Sequence, residues 1–379
     1  MTEAIPYLLS GVIIVYALFI LYFTYGWLKT KHPVTTGVSH LFVSIVVAVR
    51  NEAEQVGTLL TCLSRQNYPC HQFEVIVSDD SSDDQTPHIV EQFACRHPNI
   101  RLIRAQEKYP HGKKAALHRA IESASGELIL TTDGDCTMGG KWLSSMVQHY
   151  ISSGAAFLMG PVNIYRTKGG WLDQMQTLEF MSIMGVTGGA AGTGKPVLCN
   201  GANLAFRRDT WQQVRHQVAG RSYLSGDDVF LLHAFKKRFP GRILFVKDRN
   251  AVVTTTPSYN IVEFFSQRSR WAGKSAGFTD AFTLATGLIT ALTSLMLIAS
   301  VIWNIFVPAS FYSTLAAWGI KMAADFLLLW PVAGFFQQRK LMRHFPFLSV
   351  LYPFYVVTTI VLAIFFPAKW KKRSLTFKG

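Results

Sequence analysis

The chain is predicted to be an α/β domain inserted between transmembrane helices, and three features of the sequence predict it. Long uncharged stretches occur at 8–28 and 281–308, with further candidates at 310–336 and 345–366. As helices, such stretches can cross about 30 Å of hydrocarbon. Between them, over 40–257, short apolar runs rich in β-branched residues alternate with helical patterns, as in a parallel sheet covered by helices. Several of these runs end in acids, at Asp79-Asp80 and at Asp133-Gly134-Asp135. Open α/β sheets bind ligands at that carboxyl edge.

The 379 residues are 49% hydrophobic with a mean hydropathy of +0.21, high for a water-soluble protein. Residues 1–30 read as a retained anchor rather than a cleaved signal. Glu3 stands where a basic n-region belongs, and no small-residue cleavage site follows. The formal net charge is +14. Basic residues cluster beside the apolar stretches, at Lys29 and Lys31, 268–274, 339–343 and 369–373. That placement assigns the charge to membrane lipids and not to nucleic acid. Five cysteines without a CxxC pair argue against a disulfide framework and against zinc, and fit a cytosolic domain.

In chain order, 41–48 is a strand buried on both faces, followed by Arg50-Asn51-Glu52 and a helix over 54–64. The next strand, 73–77, ends in the acid-rich stretch 78–84, and a third strand covers 100–103. Asp and Ser are favoured helix caps, but four acids between Asp79 and Asp84 exceed that need. Acceptors at a strand end suit the N–H of a uracil and the hydroxyls of a ribose. Lys113 and Lys114 open a helix over 113–123, where the helix dipole disfavours positive charge. They read either as an answer to a diphosphate or as a solvated helix start.

Strand 128–130 then delivers Asp133 and Asp135. Gly134 turns the backbone without a Cβ penalty, so both acids can face one point. Two hard oxygen ligands suit Mg2+ or Mn2+ shared with a substrate's phosphates. A solvated Asp-Gly turn is the plain alternative. Residues 189–195 match the P-loop spacing GxxxxGK, but Pro196 replaces the hydroxyl that would hold Mg2+. The segment also precedes a strand, 197–200, instead of following one. It is read as a mobile loop or a flexible connector.

Asn200-Gly201 is a tight turn before a short strand and Arg207-Arg208. Asp227 and Asp228 head an apolar helix, whose dipole stabilises their charge. Capping needs only one of them, so the second is a candidate general base. Residues 258–280 read as a basic amphipathic helix lying on the membrane surface, with Phe264, Phe265, Arg268 and Trp271 at helical spacing. Within it, Gln267, Arg270 and Trp271 carry the spacing QxxRW.

Four signals thus occur in one order: Asp79-Asp80, Asp133-x-Asp135, Gly226-Asp227-Asp228 and Gln267-x-x-Arg270-Trp271. Together, over about 40–275, they resemble the membrane-bound glycosyltransferases of family 2. That group includes cellulose, chitin, hyaluronan and poly-N-acetylglucosamine synthases and ceramide glucosyltransferases. The resemblance implies a GT-A fold, a nucleotide-diphospho-sugar transferase domain facing the cytosol. It implies that Ala48, Glu52, Asp79, Asp80 and Lys113 bind the nucleotide-sugar donor, with Asp133 near nucleotide and sugar. Asp135, with Asp133, would hold Mg2+ or Mn2+. Asp228 would be the catalytic base, with Asp227 beside it. Gln267, Arg270 and Trp271 would close over the diphosphate and form the acceptor platform. The chain departs from the family pattern at Ala48, where a proline is usual, and at Asp227, where glutamate is commoner.

A metal and Arg270 would neutralise the charge that builds on the leaving diphosphate. A base on the opposite face of the sugar gives inversion. The expected donor is a UDP-sugar. A lipid acceptor is favoured over a growing glycan, because a C-terminal membrane region of two or three helices over 281–368 is small for an export channel. A processive polysaccharide synthase subunit, completed by a homo-oligomer or an export partner, is the alternative. Two readings of other classes are a transporter and a non-catalytic scaffold, each carrying a nucleotide-binding domain.

The expected location is a bacterial inner membrane, with the catalytic domain in the cytosol. Three further spans would then leave the basic tail, 369–379, on the outer side, against the positive-inside rule. Either segment 345–366, with Pro346 and Pro353, dips in and returns, or one basic cluster breaks that rule. Lys321 and Asp325 stand four apart in a span. They read either as a functional intramembrane pair or as a self-neutralised one near an interface.

Overall fold

The computed structural model describes residues 4–30, 41–105, 112–164, 170–218, 227–366, 369–370 and 373–374. Helix α1 (Ala4–Lys29) comes first. Strands and helices then alternate: β1 (Val43–Val49), α2 (Val56–Ser64), β2 (Phe73–Asp79), α3 (Thr86–Arg96), β3 (Ile100–Arg104), α4 (Lys113–Glu122) and β4 (Leu128–Asp133). Next are β5 (Thr137–Met138), α5 (Trp142–Ser153), β6 (Phe157–Met159) and β7 (Val162–Ile164). A long α6 (Trp171–Gly192) precedes β8 (Leu204–Arg207), α7 (Arg208–Val214), α8 (Asp227–Arg238), β9 (Ile243–Phe245) and β10 (Val253–Thr255). The remaining helices are α9 (Ile261–Gly273), α10 (Ala281–Phe306), α11 (Phe311–Phe335) and α12 (Phe345–Phe365), followed by the two-residue strands β11 (Lys369–Trp370) and β12 (Arg373–Ser374).

These elements form two compact units. The α/β unit comprises Lys31–Tyr165 and Leu198–Thr256. Its seven-stranded sheet runs β3-β2-β1-β4-β8-β6-β9. Strands β3, β2, β1 and β4 are parallel, whereas β8 runs against both β4 and β6. Consecutive residues of β1, β2 and β4 are buried, including Ile45, Val46 and Val47, Val75, Ile76 and Val77, and Leu128, Ile129 and Leu130. Only a sheet covered on both faces buries neighbours in this way. The chain steps outward from β1 to β3 and then returns to place β4 on the other side of β1. That reversal is a topological switch point, where such sheets bind ligands. A small second sheet, β5-β10-β7, follows the end of β4.

Some polar residues are built into the core, Ser44 among them. Ser44, fully buried in β1, donates to Glu74 Oε1 at 2.6 Å and accepts the Gly126 N–H at 2.8 Å. A Cβ on Gly126 would stand 2.5 Å from Ser44 N, so glycine is required at this approach.

The helical unit comprises Met1–Thr30, Arg166–Val197 and Pro257–Gly379. Residues 166–197 therefore belong with the helices, although they lie inside the stretch 40–257. Helix α1 packs on α6, α10 and α11, and α12 packs on α9 and α10. Among the described residues, four helical segments are long and apolar enough to cross a membrane: Tyr7–Lys29, Ala281–Phe306, Pro308–Phe335 and Arg339–Phe365.

Three sequence expectations are corrected here. The glycine-rich run at 189–195 is no loop, because its first residues are the last turns of α6. They are held there by packing: a Cβ on Gly189 would meet Phe23 O at 2.2 Å, and one on Gly26 would meet Gly189 O at 1.9 Å. The following residues, 197–200, form no strand and pair in no sheet. Segment 345–366 does not turn back, since α12 runs unbroken through Pro353. Pro346 sits in its first turn, where a missing N–H costs nothing.

Lys321 and Asp325 do pair, at 2.9 Å, but near the middle of α11 and not at its end. Lys321 is 2% exposed and also donates to Ser349 O at 3.0 Å. Asp325 accepts the Tyr16 hydroxyl at 2.8 Å.

Candidate active site

The site is assembled at the carboxyl ends of β1, β2 and β4. Register brings them level: Ala48 lies opposite both Ser78 and Asp133, and Val49 lies opposite Asp79. The loops leaving β1 and β2 are laced together. Asn51 N–H donates to Ser82 Oγ at 2.9 Å, Asn51 Oδ1 accepts Asp83 N–H at 3.0 Å, and Glu52 N–H donates to Thr86 Oγ1 at 2.8 Å. Both turns use left-handed backbone, at Asn51 (φ 52°) and Ser81 (φ 58°).

The acid cluster divides by role. Asp79 is buried and takes the hydroxyl and N–H of Ser82, closing the turn. Asp84 accepts N–H groups from Ala53 and Thr86. Against slight burial, the Thr86 hydroxyl and these N–H groups hold its carboxyl below the usual aspartate value. Asp80, 1% exposed, accepts the Gly112 N–H at 2.7 Å, and Arg50 Nη1 donates to its carbonyl. It thereby fixes the start of α4, where Gly112 adopts φ 114°.

Lys113 opens α4 and donates to Asp133 Oδ1 at 2.6 Å. The alternative of a solvated helix start is thus replaced by an ion pair. Desolvation opposes its charge, but Asp133, and then Asp228 and Asp135, hold the ammonium well above the ordinary lysine value.

Asp135 accepts the Thr255 hydroxyl at 3.0 Å, from β10 of the small sheet. Burial, followed by the charge of Asp133, pushes its carboxyl above the usual range despite Thr255 and Lys113. Gly134 between the two acids faces Glu52: an added Cβ would meet Glu52 Cγ at 3.0 Å. Asp228, in the first turn of α8, accepts Gly201 N–H at 3.1 Å and Val229 N–H at 2.9 Å. Gly201 is itself fixed, since Thr131 donates to its carbonyl at 2.6 Å. Gly226 and the side chain of Asp227 lie outside the described residues.

The QxxRW residues lie on α9 of the helical unit. Asn260 caps that helix by accepting Glu263 N–H at 2.9 Å. Gln267 Oε1 accepts from Ser258 Oγ at 3.4 Å and from Arg268 Nη1, and the Trp271 ring lies 6.2 Å from that of Phe180. Arg270 is half-buried. Arg268 was expected on a membrane-facing surface but is buried against Glu179 of α6. Sequence reasoning missed Glu179, although a lone acid in the apolar stretch of α6 was a signal. Thr131, Gly201 and Thr255 gave none, because their partners are distant in sequence.

Chemically, Asp133 and Asp135 offer two hard oxygen donors at one sheet edge. Among the described residues, no group of three or more His, Cys, Asp and Glu could hold a metal alone. A cation here would share its coordination with waters and a substrate. That donor set fits Mg2+ or Mn2+.

Residues 44–214 match the family model for glycosyl transferase family 2. The chain carries a family 2 glycosyltransferase domain. Glycosyltransferase AglE of Haloferax volcanii is 33% identical over 129 residues, covering 34% of this chain and 42% of that protein. The beta-monoglucosyldiacylglycerol synthase of Trichormus variabilis is 34% identical over 110 residues, 29% of this chain and 23% of that one. The chain thus covers less than half the length of either relative. A mannosyltransferase from Pyrobaculum calidifontis, solved with GDP-Man and Mn2+, matches with a TM-score of 0.60 over 96% of this chain and 99% of that one. At 19% identity this likeness speaks for the fold alone. The expected fold, a GT-A α/β domain in a chain with long apolar helices, is the one observed.

Proposed function

We propose that this protein is an integral-membrane, metal-dependent inverting glycosyltransferase. It would move a sugar from a nucleotide-diphospho-sugar, of the UDP class, to a lipid acceptor. The observation that carries this reading is Lys113 paired with Asp133 at the end of β4, with Asp135 two residues on and Asp228 tied to the same strand through Gly201 and Thr131. The family 2 domain supports it, and so does the lipid named for the Trichormus relative.

Asp80, with Ala48, Glu52 and the turn closed by Asp79, forms the nucleotide end of the site. Asp133 and Asp135 would hold Mg2+ or Mn2+, which supplies a Lewis acid against the charge of the diphosphate. Lys113 orients Asp133 and adds a positive charge to the same edge. Asp228 is held by two backbone N–H donors, which fix its direction. It accepts the proton of the acceptor hydroxyl as that oxygen bonds to the anomeric carbon and the bond to the diphosphate breaks. Displacement in one step inverts the anomeric centre. Asp227 stands beside the base, and Gln267, Arg270 and Trp271 are assigned to diphosphate and acceptor by their resemblance to QxxRW.

The test is to supply labelled nucleotide sugars and a bacterial polar lipid extract to the purified protein in lipid bilayers. One donor should label a low-mass product soluble in organic solvent, with inverted anomeric configuration by NMR. Retained configuration would sink the mechanism. Label in a high-mass polymer would move the acceptor to a growing glycan, and no labelled product would favour a transporter or scaffold.

A further inference from the structure

The helical unit contains a buried charged cluster that the proposed chemistry does not use. Arg268 occupies the second position of the QxxRW segment and is 3% exposed. Its Nε donates to Glu179 Oε1 at 3.1 Å and its Nη2 to Oε2 at 2.6 Å, a two-pronged pair between α9 and α6. Tyr355 of α12 donates its hydroxyl to the same Glu179 at 3.0 Å. The guanidinium lies 4.6 Å from the Phe264 ring centre and 4.4 Å from that of Trp271, and Nη1 donates to Gln267. One side chain therefore touches two of the three motif residues and a charge on another helix.

We propose that Arg268 and Glu179, completed by Tyr355, are positioning residues: their pair fixes the rotation of α9 on α6 and α12, and so the presentation of Gln267 and Trp271. This rests on reading QxxRW as a diphosphate-contacting segment. Desolvating two charges is expensive, and apolar residues of similar volume commonly pack as stably. A buried pair is better explained when it specifies one arrangement among several. Each helix supplies one member, and a fork matched to a carboxylate accepts only one orientation. Turning α9 by one residue swings its side chains about 100°, which would break both prongs and the ring contacts together. A lysine would keep the charge but lose the fork and the stacking.

The test uses the full chain in lipid nanodiscs and the variants Arg268→Lys and Tyr355→Phe. Amide exchange over 261–273 reports the hold on α9. Affinity is measured with Mn2+ for UDP or GDP, whichever the wild type binds more tightly, and for the matching monophosphate. In Arg268→Lys, exchange should quicken about tenfold and diphosphate affinity weaken about fivefold at unchanged stoichiometry, with monophosphate affinity within about twofold. A merely structural role would lower the binding-competent fraction without changing the diphosphate-to-monophosphate ratio. Wild-type protection of α9 with an unchanged ratio overturns the proposal. If Arg268→Lys does not fold, Tyr355→Phe decides by the same readouts, with about a two- to threefold effect expected. A wild type that binds neither nucleotide sinks the transferase reading instead, and α9 exchange in the variants still decides the helix tie.

Discussion

Asp135 is held where its charge costs the folded chain and serves the proposed reaction. Its carboxyl sits above the usual aspartate value of 3.8 because it is buried beside Asp133. A raised acid favours the folded state below its unfolded value, and that advantage is lost as pH rises through the folded value. At neutral pH and without a divalent cation, ionised Asp135 is therefore destabilising. Asp135→Asn keeps an acceptor for Thr255 and removes the charge. It should raise the melting temperature by a few degrees at neutral pH in chelator, with the gain vanishing near pH 4, while abolishing turnover. Calorimetry across pH would show this, and a lower melting temperature at neutral pH would contradict it. The positions of Asp80, Lys113, Asp133, Asp135 and Asp228 were legible because each follows a strand or opens a helix in a readable pattern. Their partners Gly201, Thr131 and Thr255 were not, since long-range hydrogen bonds leave no local spacing.

At the scale of elements, the strands were legible from apolar runs that only a doubly covered sheet can bury. The end of α6 was not. Glycine reads locally as a breaker, but here close approach to α1 decides the conformation. Gly189→Ala should separate α1 from α6 and cost about 1–3 kcal/mol in stability, read from unfolding in detergent. An unchanged midpoint would show that the crossing is loose. The Lys321–Asp325 pair was readable from its spacing, whereas Tyr16 and Ser349 come from other helices. Lys321→Met alone should cost about 3–5 kcal/mol by stranding Asp325, and adding Asp325→Leu should recover most of that loss. Equal losses for the single and double variants would mean that the pair is not a unit.

For the whole molecule, the order of motifs along the chain was the strongest signal, since each is weak alone. The order foretold a family 2 domain and long apolar helices, and both are observed. It could not show that 166–197 leaves the α/β unit for the helical one, because that depends on packing. Asp135 and Asp228 are proposed to carry metal-dependent transfer from a nucleotide sugar. The most direct test follows nucleoside diphosphate release from a donor panel with Mg2+ or Mn2+, for wild type, Asp135→Ala and Asp228→Asn in lipid bilayers. Release is expected from one donor class, abolished by chelator and reduced at least about 100-fold in both variants. Release that survives both substitutions, or that ignores the metal, would contradict that assignment.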